Sequence, residues 1–174
     1  MTDQLAKLLP VERVAESAEE ARALGEKLAT VLRAGDLVIL TGDLGAGKTT
    51  FTQGLGAGLK VRGDITSPTF VISRVHPSLV GGPALVHVDA YRLEGLAELD
   101  DLDLDASLEE AVTVVEWGEG VAEGLAETRL EVTITRARGD DPLDDSIDGR
   151  DARHLRFAPV GGRWIGSRLR EALA

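Results

Sequence analysis

Residues Leu37-Val38-Ile39-Leu40-Thr41 lead without a break into Gly42-Asp43-Leu44-Gly45-Ala46-Gly47-Lys48-Thr49-Thr50, and no other stretch narrows the possible folds as much. The aliphatic run is too short and too rich in β-branched residues for a helix, so it predicts a strand. The spacing Gly42-x-x-x-x-Gly47-Lys48-Thr49 behind it is the phosphate-binding P-loop pattern. Glycine at 42, 45 and 47 lets the backbone turn tightly and aim N–H groups at an anion with no Cβ in the way. Lys48 brings a point charge to the β- and γ-phosphates, and the Thr49 hydroxyl suits a Mg²⁺ ion that bridges them. A helix opening near Gly47 adds its positive end to the same anion. The whole segment from Gly42 through Asp43, Leu44, Gly45, Ala46, Gly47, Lys48, Thr49 and Thr50 is therefore the candidate nucleoside triphosphate site.

A chain of 174 residues is most simply one domain with one core, here residues 1–174. Because only 3% of the residues are aromatic, that core has to be built from Ala, Val, Leu and Ile. The absence of cysteine excludes disulfides, thiolate metal sites and cysteine nucleophiles. Histidines 76, 87 and 154 are too scattered to suggest a zinc site. Neither an apolar signal core nor a long apolar run occurs, so a cytoplasmic protein without a membrane segment is expected. A net charge of −11 argues against broad, unaided binding of nucleic acid, whose phosphates require a dense cationic face.

Around the P-loop the pattern alternates between strand and helix. Ser17-Ala18-Glu19-Glu20 is a capping box, after which Ala21, Leu24, Leu28, Val31 and Leu32 share a helical face until Gly35. Phe51, Leu55 and Leu59 keep helical spacing after the P-loop. Glycines 54, 56 and 58 each weaken that helix by roughly 1 kcal/mol relative to Ala, which predicts an early end or close packing. Thr66-Ser67-Pro68-Thr69-Phe70 forms a rigid hydroxyl-rich turn where nucleotide-sensing loops commonly lie, and a hairpin loop is expected over 76–83. The 94–110 stretch holds eight acidic residues and no basic one, either a solvated helix face or a docking surface for a basic partner. Arg129–Thr135 and Arg153–Phe157 alternate at period two and predict an antiparallel hairpin closing the sheet. A last helix places Ile165, Leu169 and Leu173 inward, with Arg163, Arg168 and Arg170 on its wet side. The expected fold is α/β, a single P-loop NTPase-like domain. Its mixed sheet has a parallel core and an antiparallel C-terminal hairpin, with helices on both faces.

Two further apolar strands, Ala84–Asp89 and Ala111–Glu116, each end in a carboxylate. Such strand ends bring a carboxylate to the metal and the attacking water in P-loop proteins, which makes Asp89 and Glu116 the candidate catalytic residues. His87 lies two residues before Asp89 and faces the same way, either as a packed strand histidine or as part of the chemistry. Trp117 belongs either to the mouth of the site or to the seam between sheet and helix. No Asn/Thr-Lys-x-Asp element for guanine is present and asparagine is absent altogether, so adenine nucleotide, ATP with Mg²⁺, is expected. A small-molecule kinase stays possible by size. Its usual arginine-rich lid is not apparent, because the segment after Asp89 is acidic.

Gly42 to Thr50, Thr66-Ser67-Pro68-Thr69-Phe70, His87-Val88-Asp89-Ala90-Tyr91-Arg92-Leu93 and Val115-Glu116-Trp117 occur in an order and spacing that resemble the bacterial TsaE family. The likeness covers residues 15–120, and beyond them only Gly149-Arg150-Asp151-Ala152-Arg153 resembles a family element, weakly. The resemblance implies a small ATPase required, with TsaB, TsaC and TsaD, to make threonylcarbamoyladenosine in tRNA. It implies ATP on the P-loop, Mg²⁺ on Thr49 with Glu116 associated with the metal and hydrolysis, and Asp89 as the partner carboxylate. It also implies a TsaD–TsaB complex that ATP hydrolysis resets between turnovers, with no direct tRNA binding by this chain alone. The P-loop shows no obvious second cation in the sequence, so slow hydrolysis without a partner is expected.

Overall fold

Seven strands form one mixed sheet in the order β1-β7-β6-β2-β5-β4-β3. A computed structural model of the chain describes residues 9–42, 47–62, 73–89, 109–116, 128–136, 152–164 and 167–174, the side chains of Asp89 and Arg136 excepted. The strands are β1 (Val11–Ala15), β2 (Leu37–Thr41), β3 (Ser73–His76), β4 (Ala84–Asp89), β5 (Ala111–Glu116), β6 (Arg129–Arg136) and β7 (Arg153–Val160). The helices are α1 (Ala18–Ala29), α2 (Lys48–Leu59) and α3 (Leu169–Ala172), with a 3₁₀ turn over Gly162–Trp164. The P-loop strand β2 lies between β5 and β6 and runs parallel to both, and β4 is parallel to β5. The expected C-terminal hairpin forms, β6 pairing antiparallel with β7 from Arg129↔Val160 to Arg136↔Arg153. The 76–83 connection joins the antiparallel pair β3–β4, as expected.

Strand β1 was not anticipated. Only Val11 and Ala15 of its five residues are buried and Val14 is exposed, so the segment carries little apolar alternation of its own. It is a strand because it completes the edge of β7, pairing Val11↔Phe157 through Ala15↔Arg153.

The main core lies between the sheet and the α1/α2 layer, where Val38, Leu40, Val114, Val132, Phe51 and Leu55 are buried together. Fully burying a side chain of this kind contributes about 1.5–3 kcal/mol, so this layer is the principal source of stability. Phe51 of α2 meets Phe157 of β7 with ring centroids 5.9 Å apart and tilted by 50°, which ties the P-loop helix to the antiparallel side of the sheet. On the opposite face Leu37, Ile39, Val86, Val88 and Val115 are equally buried. The described helices all join the α1/α2 side, and the acidic 94–110 segment, read as a solvated helix face or a docking surface, lies outside the described residues except for Glu109 and Glu110.

Helix α1 begins at its capping box. Ser17 Oγ accepts from Glu20 N at 3.1 Å, while Glu20 Oε1 accepts from Glu16 N, one residue earlier than the usual reciprocal bond. Its end tightens through Val31 N to Leu28 O and Leu32 N to Ala29 O before Gly35 turns the chain at φ +98°.

Helix α2 runs through glycines 54, 56 and 58 rather than ending early, and close packing is the reason. A Cβ on Gly54 would lie 1.9 Å from the Arg22 carbonyl oxygen, and one on Gly25 of α1 would lie 2.3 Å from that of Phe51. The two helix backbones thus touch, which side chains at these positions would forbid.

The C-terminal segment departs from the single helix expected. Leu169 and Leu173 are buried and Arg168 is exposed, as the pattern predicts. Arg163 is not on a wet face. Its guanidinium donates to both carboxylate oxygens of the buried Asp36 at 2.9 Å and to the Val31 carbonyl at 2.6 Å, and it lies 4.3 Å from the Trp164 ring centroid. A planar fork that matches a carboxylate this way fixes the C-terminal segment to the start of β2.

Candidate functional site

The P-loop leaves the C-terminal end of β2 at buried Gly42 and re-enters described structure at Gly47; Asp43, Leu44, Gly45 and Ala46 lie outside the described residues. Gly47 has φ +105° and ψ 19°, a left-handed conformation that favours glycine, and it turns the chain into α2. The helical ladder starts with Phe51 N donating to Gly47 O at 2.9 Å, so the positive end of α2 faces the loop. Neither a capping side chain nor an acidic residue neutralises that first turn. Lys48 is buried and donates through Nζ to the Gly42 carbonyl, which carries its ammonium across the loop instead of out to solvent. Thr49 and Thr50 are partly exposed on the same turn.

The carboxylate strands meet this turn through the sheet register. Glu116 is opposite Leu40 of β2, one residue short of the end of the P-loop strand, and Asp89 is opposite Glu116. Alternation puts Glu116 on the face of Val112 and Val114, the face that α1 and α2 cover. His87 shares that face, one pair earlier, and its Nε2 makes a hydrogen bond with Oε2 of Glu116. The contact is the diagonal one that neighbouring strands allow. Both side chains are buried, and His87 Nδ1 has no hydrogen-bond partner among the described residues. His87 is thus packed inside the sheet and bonded to the candidate carboxylate at once, an arrangement that fits either of its two roles. No group of three or more carboxylates and histidines poised for a metal exists among the described residues. The Asp89 carboxylate, Thr66–Phe70, Tyr91, Arg92 and Trp117 lie outside the described residues. Trp164 is buried in the C-terminal segment.

One site residue escaped the sequence reading. Arg153 opens β7, and its Nε is only 3.9 Å from where a Cβ on Gly47 would stand. With Ser17, Ala18, Ala21, Gly47 and Thr50 it lines a cleft of about 160 Å³. Arg153 thus stands beside the turn that opens α2, a placement the sequence did not suggest. The available signal was the weak Gly149–Arg153 element, whose position gave no reason to place it near residue 47.

Residues 15–142 match the family model of the threonylcarbamoyl adenosine biosynthesis protein TsaE. The tRNA threonylcarbamoyladenosine biosynthesis protein TsaE of Streptomyces coelicolor is 61% identical over 144 residues, 82% of this chain and 93% of that protein. The Bacillus subtilis protein of the same name is 38% identical over 147 residues, 84% of each chain. The crystal structure of Bacillus subtilis YdiB superimposes with a TM-score of 0.71 at 31% identity, covering 95% of this chain and 94% of that one. The P-loop and the two carboxylate-ended strands thus sit inside the 15–142 match, and the chain belongs to the TsaE family of tRNA threonylcarbamoyladenosine biosynthesis.

Proposed function

We propose that the chain binds Mg-ATP on the P-loop and hydrolyses it, serving threonylcarbamoyladenosine synthesis by resetting a TsaD–TsaB complex between turnovers. The observation that carries this reading is the register in which Asp89 stands beside Glu116 and Glu116 beside Leu40, at the strand end from which the P-loop departs. The residues fit the nucleotide. The first turn of α2 has no acidic side chain, Gly47 keeps the left-handed turn free of a Cβ, and buried Lys48 is close to Gly42. They also fit Mg²⁺, since Thr49 and Glu116 offer the hard oxygen donors that the ion takes, with nucleotide phosphates and water completing its shell. Bound there, the metal would neutralise charge on the β- and γ-phosphates. Lys48 holds the phosphates, His87 orients Glu116, and Glu116 and Asp89 are the carboxylates that position water.

The test is nucleotide binding and turnover in four variants. Lys48→Ala and Thr49→Ala lose Mg-ATP binding while their circular dichroism stays native, because the loop's shape depends on glycine and not on these side chains. Glu116→Ala and Asp89→Ala keep binding and lose hydrolysis by about 10²–10⁴-fold, the usual size of such a positioning loss. Unchanged turnover in both carboxylate variants would replace hydrolysis with a nucleotide-binding scaffold. ATP-dependent phosphorylation of a small acceptor by the chain alone would favour a kinase.

A further inference from the structure

Two buried ring nitrogens lie on the sheet face that carries Glu116, Nδ1 of His87 and Nε2 of His76, and neither has a hydrogen-bond partner among the described residues. The register sets the rings side by side. Arg74 of β3 is paired with His87 of β4, so His76, two residues on, shares that face and takes the diagonal position. Residues on such a diagonal lie about 7–8 Å apart, a separation that two imidazoles and one water span. Arg74 stands directly across from His87 and is not bonded to its Nδ1. Each ring is tied down through its other nitrogen. His76 Nδ1 lies 3.2 Å from the Arg62 carbonyl oxygen. A carbonyl only accepts, so this nitrogen carries the proton and Nε2 is left with a lone pair. Burial lowers the pKa of His76, the bond to Arg62 opposes that, and nearby His87 and Arg74 add to the lowering, which keeps the ring neutral. On His87 the tie is from Nε2 to Glu116 Oε2. With Glu116 as a carboxylate, Nε2 donates and Nδ1 is a lone pair as well. Two buried acceptors cannot bond each other. A molecule that donates twice satisfies both, and water is the smallest.

We propose that a buried water donates one hydrogen to His87 Nδ1 and the other to His76 Nε2, which makes His76 a positioning residue for Glu116. The proposal rests on the reading of Glu116 as a carboxylate of the nucleotide site, on which His76 acts through His87 alone. Buried water commonly serves polar groups that are otherwise unsatisfied. The row then runs from the Arg62 carbonyl through His76, water and His87 to Glu116, across β3, β4 and β5. With a bond at each nitrogen the His87 ring cannot turn without losing one, so Nε2 stays aimed at the carboxylate. The far end of the row is held too. Arg62 N donates to Pro77 O at 2.8 Å and Val61 bridges Ser78, which fixes the exit of α2 against the end of β3.

Ring-nitrogen NMR of the full chain, isotope-labelled at histidine, tests the pair, with His76, His87 and His154 the three residues to assign. The expected wild-type spectrum has the proton on Nδ1 of His76 and on Nε2 of His87, and both bare nitrogens show the upfield shift of a hydrogen-bonded acceptor. His76→Leu keeps the bulk but neither donates nor accepts, so the His87 Nδ1 resonance moves downfield toward the unbonded position. His76→Gln offers an amide N–H to Arg62 and a carbonyl oxygen to the water, and moves it back. In ATP hydrolysis His76→Leu lowers kcat by about tenfold, the low end for an outer-shell hydrogen-bond partner, while ATP affinity changes less than about twofold. His76→Gln recovers most of that rate. A wild type with the His76 proton on Nε2, or an unmoved His87 Nδ1 resonance in folded His76→Leu, would overturn the bridge. A loss of rate that His76→Gln does not rescue would reduce His76 to packing. The spectra require no nucleotide, so the two readings fail separately. An active wild type without the bridge signature leaves the proposed function standing, whereas a wild type inert toward ATP that carries the signature defeats that function and the positioning role with it.

Discussion

Glu116 is a buried carboxylate on a strand whose other five residues are also buried, and one neighbour accounts for how it is held. His87 reaches it from the adjacent strand and supplies a ring nitrogen to Oε2. A polar group inside a protein is tolerated when it is hydrogen-bonded, and an imidazole anchored on the neighbouring strand also restricts the carboxylate's rotamer. A purely packing histidine would behave differently on substitution. His87→Ala is therefore expected to lower ATP hydrolysis nearly as far as Glu116→Ala, with the double variant no slower than Glu116→Ala alone. In thermal denaturation the two substitutions should show a coupling of about 1.5–3 kcal/mol, the range for hydrogen bonds to charged groups. Additive effects in both assays would reduce His87 to a space-filling residue. The sequence went part of the way here. Period-two alternation put His87 and Asp89 on one side of β4, but only the register of β4 against β5 brings His87 to Glu116.

At the scale of elements, α1 and α2 act as one layer, and the P-loop inherits its position from their contact. Gly54 lies against the Arg22 backbone, and a Cβ on Gly58 would come within 2.5 Å of the Ala29 Cβ. Alanine normally strengthens a helix over glycine, yet here the added methyl meets backbone that can only move as a helix. Gly54→Ala should destabilise the protein by about 1–3 kcal/mol, the usual size of an overpacking penalty. It should also weaken ATP binding, because pushing α2 away from α1 moves the turn that begins at Gly47. Chemical denaturation and nucleotide titration of this variant check both. A more stable Gly54→Ala with native affinity would show that the helices separate freely. Close packing was one of two outcomes the glycines allowed in the sequence, since local propensity cannot say what lies opposite. The same limit hid β1, whose partner β7 is distant in sequence, and the Arg163–Asp36 pair, whose members are 127 residues apart.

Across the whole molecule, what was legible is what local chemistry dictates. The P-loop shows because its glycines, lysine and hydroxyl serve one anion over consecutive residues, and the two strands show because each carries its own apolar run and terminal carboxylate. Arg153 did not show, because only folding brings the start of β7, an interior strand, beside residue 47. Its placement sharpens the expectation for a partner. Arg153 lies across β2 from Glu116, and on the proposed reading Lys48 is the cation that serves the β- and γ-phosphates. A P-loop site that lacks an arginine at that end hydrolyses slowly, and one supplied by another protein is worth about 10³–10⁵ in rate. We therefore expect low ATPase activity from the chain alone and a large rise with a TsaD–TsaB complex. Binding linkage is reciprocal, so a partner that engages the γ-phosphate end must bind more tightly when ATP is present than when ADP is. Titrating the chain into TsaD–TsaB with ATP, with ADP and without nucleotide, while following phosphate release, measures both sides of that linkage. The expected order of affinity is ATP above ADP and the empty state. Equal affinity in all three states with no gain in rate would end the resetting mechanism and leave the nucleotide site as a separate question.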